Sequence, residues 1–223
     1  HAHLVQEISI YRQLTPHAAI VSFIDATENE DHFRSRLYIE YIQGQALCDL
    51  ILQQQLPDQQ YTSIVIRLLR GLCFLHESGF CHRDIKPDNI MIDKQWQPKF
   101  FDFASARPCN VHLTAGGVFT PEYAAPEVFD GLYYTASDIF SIGMVFLVMA
   151  TKCGTYQVTD LTHEHYDKIA EGTLRPYMKG VFSPQVMALI VSLTRYQHDD
   201  RPCAEQALDM AESMEITYPI HRF

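Results

Sequence analysis

The stretch from Tyr61 to Asn89 constrains the fold more than any other part of the chain. Between Tyr61 and Ser78, the residues Ile64, Leu68, Leu72 and Leu75 recur at a spacing that places them on one face of an amphipathic helix. Gly79 follows, and glycine ends helices readily because it accepts a left-handed backbone. Next come a short apolar piece, Phe80-Cys81, then the polar run His82-Arg83-Asp84-Ile85-Lys86-Pro87-Asp88-Asn89, then Ile90-Met91-Ile92. A long half-buried helix therefore feeds a charged loop held between two strand-like pieces. That loop gathers an acid, an ammonium and an amide in Asp84, Lys86 and Asn89.

The sequence on either side falls into two regimes. Val5 to Leu14 has helical spacing at Ile8, Tyr11 and Leu14, and Pro16 ends it. Ala19 to Asp25 and Arg36 to Tyr41 are β-rich runs separated by the charged Thr27-Glu28-Asn29-Glu30-Asp31, which predicts two adjacent antiparallel strands. Gly44 breaks the second strand, Ala46 to Gln53 reads as a short helix, and Lys99-Phe100-Phe101 as another strand piece. Beyond Ala106 runs a long loop without periodicity. From Pro126 onward the pattern is helical, including Asp138 to Thr151, Ser183 to Thr194 and Ala204 to Met214. The fold class is α+β, a small β-containing piece followed by a mostly helical part.

With 223 residues the chain can bury one substantial core or two small ones. Its 47% hydrophobic and 20% charged residues are ordinary for a globular protein. A net charge of −10 argues against a nucleic-acid partner, which calls for a basic face. The six cysteines lack a CxxC or zinc-like spacing and read as small buried hydrophobes in a reducing compartment. His1-x-His3 and His163-x-His165 lack thiolate or carboxylate partners at metal-site spacing and read as solvated. No basic segment leads into an apolar one, and Phe140 to Ala150 is too short to span a bilayer, so no membrane segment is expected. These features predict a cytoplasmic location, with the nucleus as the alternative. The start at His1 reads as a start inside a longer protein.

The segment Cys81 to Asn89 resembles the catalytic loop of protein kinases, H-R-D-x-x-x-x-N. The resemblance implies that Asp84 is the catalytic base, that Asn89 holds a metal ion, and that Lys86 neutralises the transferring phosphate, as in the serine/threonine branch. Asp102-Phe103-Ala104 is similar to the D-F-G element, which makes Asp102 a Mg2+ ligand, although Ala104 stands where the family has glycine. Thr120 to Glu127 looks like T-P-E-Y-x-A-P-E, with Thr120 bonding to Asp84 and Lys86, and Glu127 pairing with Arg201. Asp138 opens a segment similar to D-x-W-S-x-G and would accept from the catalytic-loop backbone. Leu37 to Ile42 resembles the gatekeeper and hinge. Ile39, the carbonyl of Glu40 and the backbone of Ile42 would then meet the adenine of ATP, with Met91 beneath the base and Asp49 near the ribose. Tyr11, Phe23, His82 and Phe103 would stack as a spine, with Tyr11 where leucine is usual. Thr114 is the candidate loop phosphosite, since the usual offset falls near Gly116.

On this resemblance, residues 1–42 form a partial small lobe and residues 43–223 the helical lobe. Glu7 resembles the glutamate of the regulatory helix, but only six residues precede it, and neither the glycine-rich loop nor the V-A-I-K lysine is found. A fragment of a longer kinase, a chain that lost the small lobe and became a scaffold, and a lysine supplied by a different upstream segment all fit that gap. The implied activity is serine/threonine protein phosphorylation with ATP and Mg2+, acting on protein hydroxyls and with a regulatory protein as a further partner. The alternative is a pseudokinase that acts as a binding module.

Overall fold

The computed structural model describes residues 2–28, 35–109, 113–114, 119–151 and 183–217. Asn29 to Asp31, Gly116, Cys153, His1 and the pair His163 and His165 lie outside them. Helix α1 (Ala2–Gln13) is followed by β1 (Phe23–Thr27) and β2 (Arg36–Ile39), which pair antiparallel with Phe23 opposite Ile39. A second, three-stranded sheet has the order β3 (Gly44–Ala46), β5 (Ile90–Asp93), β6 (Pro98–Phe100). Between its strands the chain makes α2 (Leu47–Leu52), α3 (Tyr61–Glu77) and β4 (Phe80–Cys81).

The first strand differs from its expected span. Ala19, Ile20 and Val21 leave the β1–β2 ribbon and bond to β6 instead, where Phe100 donates to the Ala19 carbonyl at 2.8 Å and Val21 donates to that of Phe100 at 3.0 Å. All three side chains are buried there, so core burial outcompetes extension of a thin ribbon. The stretch beyond Ala106 also differs from a plain loop. It contains β7 (Arg107–Pro108), paired with β4, and β8 (Leu113–Thr114), paired with β9 (Leu132–Tyr133). Strands of two residues carry no sequence period.

The helical part consists of α3, α4 (Pro126–Phe129), α5 (Thr135–Thr151), α6 (Pro184–Leu193) and α7 (Ala204–Thr217). Ile64, Leu68, Leu72 and Leu75 are fully buried, and α3 packs along α7, β6 and α5. Each such side chain contributes about 1.5–3 kcal/mol relative to exposure. Helix α5 is buried on every side from Ser137 to Ala150, as the mostly apolar stretch Phe140 to Ala150, interrupted by Ser141 and Gly143, predicts. Ser183 caps α6 by accepting from Val186 N–H, with Pro184 at the first helical position. No helix among the described residues is long and apolar enough to cross a membrane. Of the cysteines described, only Cys81 is buried. Cys48, Cys73 and Cys109 are half-buried and Cys203 is exposed, because most of them sit at element ends rather than on core faces.

Candidate active site

The buried acid Asp138 sets the position of the charged loop. It lies in the first turn of α5, and both carboxylate oxygens are bonded twice. Oδ2 accepts from His82 N–H at 2.8 Å and from the His76 ring at 3.0 Å. Oδ1 accepts from Arg83 N–H at 2.9 Å and from the Tyr133 hydroxyl at 2.5 Å. Burial alone would raise its pKa, but the His76 bond and charge and the Tyr133 hydroxyl outweigh it and hold the carboxyl below its usual value. Arg83 takes a left-handed backbone (φ 71°), a conformation costing about 1–2 kcal/mol that these bonds offset.

Past that bend, Asp84 meets the side chains expected to surround it. Its Oδ1 accepts from Thr120 Oγ1 at 2.7 Å, and its Oδ2 from Lys86 Nζ at 2.8 Å and Asn89 Nδ2 at 3.0 Å. Lys86 Nζ also donates to Thr120 Oγ1 at 2.9 Å. Asn89 Nδ2 donates as well to the Asp84 carbonyl at 2.9 Å, which fixes the loop's curvature. Four side chains from two separated segments thus form one closed polar ring. The ring stays open to the surface, with Asp84 14% and Lys86 22% exposed at the side chain.

Asp102 follows β6 with φ 62°, and the Phe101 N–H bonded to the Asn89 carbonyl (3.2 Å) brings it alongside Asn89. Asn89 spends its amide protons on Asp84, which leaves its carbonyl oxygen as the end able to face a cation. Asp102 and Asn89 together offer hard oxygen donors of the kind Mg2+ takes alongside phosphates and water. Among the described residues no cluster of three or more His, Cys, Asp or Glu forms a metal cage, so a cation here would rely on its ligand for the remaining donors. The left-handed residue is Asp102, not Ala104, so the alanine costs no strain in this arrangement.

The remaining candidates fall on β2 and the segment after it, on α2, on β5 and on β8. Ile39 ends β2, opposite Phe23. Glu40 is tied down by its side chain, which accepts from Ser22 N–H at 2.7 Å and from Lys99 Nζ at 2.5 Å, while its own N–H donates to Ser22 O at 2.9 Å. Ile42 O accepts from Gly44 N–H at 3.0 Å at the entry to β3. Met91 is half-buried between Ala46 and Lys99 on the neighbouring strands. Asp49 is exposed in the first turn of α2. Thr114 falls in β8, opposite Leu132.

Sequence reasoning missed three partners. Lys99 on β6 reaches the Glu40 carboxylate, although nothing in a strand pattern marks it. His76 and Tyr133 complete the ring around Asp138 from opposite directions. Glu7, expected to pair with a lysine, accepts from Phe103 N–H at 3.1 Å. Burial and the neighbouring Asp102 charge push its pKa up to about 7, with the Phe103 bond opposing.

Tyr11 meets Phe103 edge to face with ring centroids 5.1 Å apart, Phe103 meets His82 at a tilt at 5.0 Å, and only Phe23 stacks on Tyr11, at 6.3 Å. Burial lowers the pKa of His82 and keeps its ring neutral, and neither ring nitrogen has a hydrogen-bond partner among the described residues. Glu127 and Arg201 close a two-pronged pair at 2.7 and 2.8 Å.

The protein kinase domain pattern matches residues 1–211, so this chain belongs to the protein kinase family. The family's general cofactors are ATP and Mg2+, and its substrates are proteins. Mitogen-activated protein kinase kinase 1 of Arabidopsis thaliana is 31% identical, over 78% of this chain and 52% of its own length. Mitogen-activated protein kinase p38b of Drosophila melanogaster is 25% identical, over 86% of this chain and 62% of its own. The membrane-associated tyrosine- and threonine-specific cdc2-inhibitory kinase of Drosophila melanogaster is 30% identical, over 93% of this chain and 38% of its own. The chain therefore spans between 38% and 62% of the length of these three relatives.

Proposed function

We propose that the full protein is a serine/threonine protein kinase that moves the γ-phosphoryl group of ATP to a protein hydroxyl, with Mg2+ as cofactor. The observation that carries this reading is the closed ring of Asp84, Lys86, Asn89 and Thr120. Asp84, held in one orientation by three donors, accepts the proton of the attacking hydroxyl as its oxygen bonds to the γ-phosphorus and the bond to the departing ADP oxygen breaks. Lys86 holds positive charge beside that transfer, and Thr120 keeps Asp84 and Lys86 in register. Asn89 and Asp102 would hold Mg2+, which neutralises phosphate charge when bound. Ile39, the Glu40 carbonyl, the Ile42 backbone, Met91 and Asp49 would receive the nucleoside. The lysine at position 86 supports serine or threonine as acceptor. Residues 1–42 and 43–223 act as the two lobes in this reading, and cysteine usage supports a cytoplasmic or nuclear setting.

Phosphate transfer to a generic serine/threonine substrate by the full-length protein tests it. Asp84→Asn should lose about 10²–10⁴-fold in rate. Equal transfer by both proteins sinks the reading. The scaffold alternative is motivated by Ala104, which stands where the family has glycine. Mg2+-dependent ATP binding by the full-length protein argues against it.

A further inference from the structure

We propose that Cys81 and Cys109 form an oxidation-sensitive thiol pair that a peroxide converts into an intramolecular disulfide. Their sulfurs lie 3.0 Å apart, although 28 positions separate them in sequence. The β4–β7 ladder places them there. Cys81 pairs with Arg107, Phe80 with Pro108, and Cys109 N–H donates to the Gly79 carbonyl at 2.8 Å, so Cys81 and Cys109 are diagonal neighbours on one face. Gly79, opposite Cys109, takes a left-handed backbone (φ 84°) at the turn from α3 into β4.

The two sulfurs differ in exposure. Cys81 is fully buried, and its contact with Cys109, its burial and the nearby Asp138 charge keep it protonated. Cys109 is half-buried and is the one a peroxide reaches. Its thiolate attacks one peroxide oxygen, the O–O bond breaks, and a sulfenic acid forms with hydroxide leaving as water. The Cys81 sulfur then attacks the Cys109 sulfur. The S–S bond forms as the S–O bond breaks, and the Cys81 proton leaves with that oxygen as a second water. Two thiols are oxidised by two electrons, and one peroxide is reduced. The bond would join the residue before His82 to the segment that follows Asp102. It rests on the thiol geometry alone and stands apart from the kinase reading.

The test is peptide mapping without reduction after the folded full-length protein is treated with hydrogen peroxide. A glutamate-specific protease used with trypsin cuts at Glu77 and so separates Cys73 from Cys81. The expected product is a linked peptide containing Cys81 and Cys109, with alkylation lost at both together and restored by dithiothreitol, before the exposed Cys203 is fully oxidised. In Cys109→Ser, checked for native circular dichroism, Cys81 stays alkylatable after the same treatment and unfolding. The proposal is overturned if Cys109 proceeds to sulfinic acid while Cys81 stays free. It is equally overturned if the link forms only in protein denatured beforehand, or if Cys81 links to another cysteine in the variant.

Discussion

Burial moves Glu7 well above the ordinary carboxyl pKa. Its carboxyl is partly buried beside the Asp102 charge, with Phe103 N–H as its hydrogen-bond donor. An acid whose pKa rises on folding, here from 4.5 to about 7, binds its proton more tightly in the folded state. Its stabilising contribution is complete below the unfolded value and is lost as pH rises through the folded one. Glu7 therefore contributes a fall in folding stability between pH 4.5 and about 7, which the buried His82 opposes below its ordinary value of 6.5 because its own pKa is lowered. Glu7→Gln keeps an oxygen for Phe103 N–H and removes the charge. It should flatten that slope and leave the variant more stable above the interval, by on the order of 1 kcal/mol after allowance for solvent screening. Denaturant unfolding of both proteins across the interval checks this, and parallel slopes would exclude Glu7 as the source.

At the scale of elements, a close contact lies where α5 crosses α6. A Cβ built on Gly143 would sit 2.8 Å from both Leu193 Cβ and Thr194 Cγ2. Both atoms belong to short, buried side chains that cannot swing away, so Gly143→Val should cost about 1–3 kcal/mol through overpacking. The smaller Gly143→Ala recovers part of its clash through helix propensity, about 1 kcal/mol. Urea unfolding of the two variants should rank them in that order. Helix α3 is legible in the sequence because apolar spacing repeats over several turns, and α5 because its apolar stretch is long enough for a buried helix. So are the charged loop and its acid, ammonium and amide, which stand close together in the chain. The two-residue strands β7 and β8 are not, since no period fits in two residues. Nor is the Lys99–Glu40 bridge or the Cys81–Cys109 contact. The first links β6 to the residue after β2, which belongs to another sheet, and the second depends on the β4–β7 register. The move of Ala19 to Val21 onto β6 is hidden for a related reason, because a short apolar run does not reveal which sheet edge will bury it.

Across the whole molecule, the pair between Glu127 and Arg201 fastens the end of the loop-rich segment to the helical core. Arg201 uses all five of its donors. Two reach the Glu127 carboxylate, and the rest go to the carbonyls of Ala136, Arg195 and Tyr196, while the guanidinium lies 5.0 Å from the Phe140 ring. The Arg201 side chain is 0% exposed and that of Glu127 is 8% exposed. Arg201→Leu strands a buried carboxylate and three carbonyls, so it should cost about 3–5 kcal/mol, and adding Glu127→Leu should cost less than the sum of the two. The same pair governs behaviour in acid. Burial pushes the Glu127 pKa up, but the Arg201 bonds and charge with the Ser137 hydroxyl carry it below 4.5, and Asp138 likewise lies below 3.8. A depressed acid stabilises the fold above its unfolded pKa and loses that contribution as pH falls through the folded one. These two groups, with His82 above them, oppose Glu7, and acid unfolding is expected below pH 4.5. In Arg201→Leu the buried Glu127 has lost the partner that held its pKa down, and burial then raises it. That variant should begin to gain stability on acidification where the parent begins to lose it. A common acid midpoint for the two proteins would show that the pair does not control the transition.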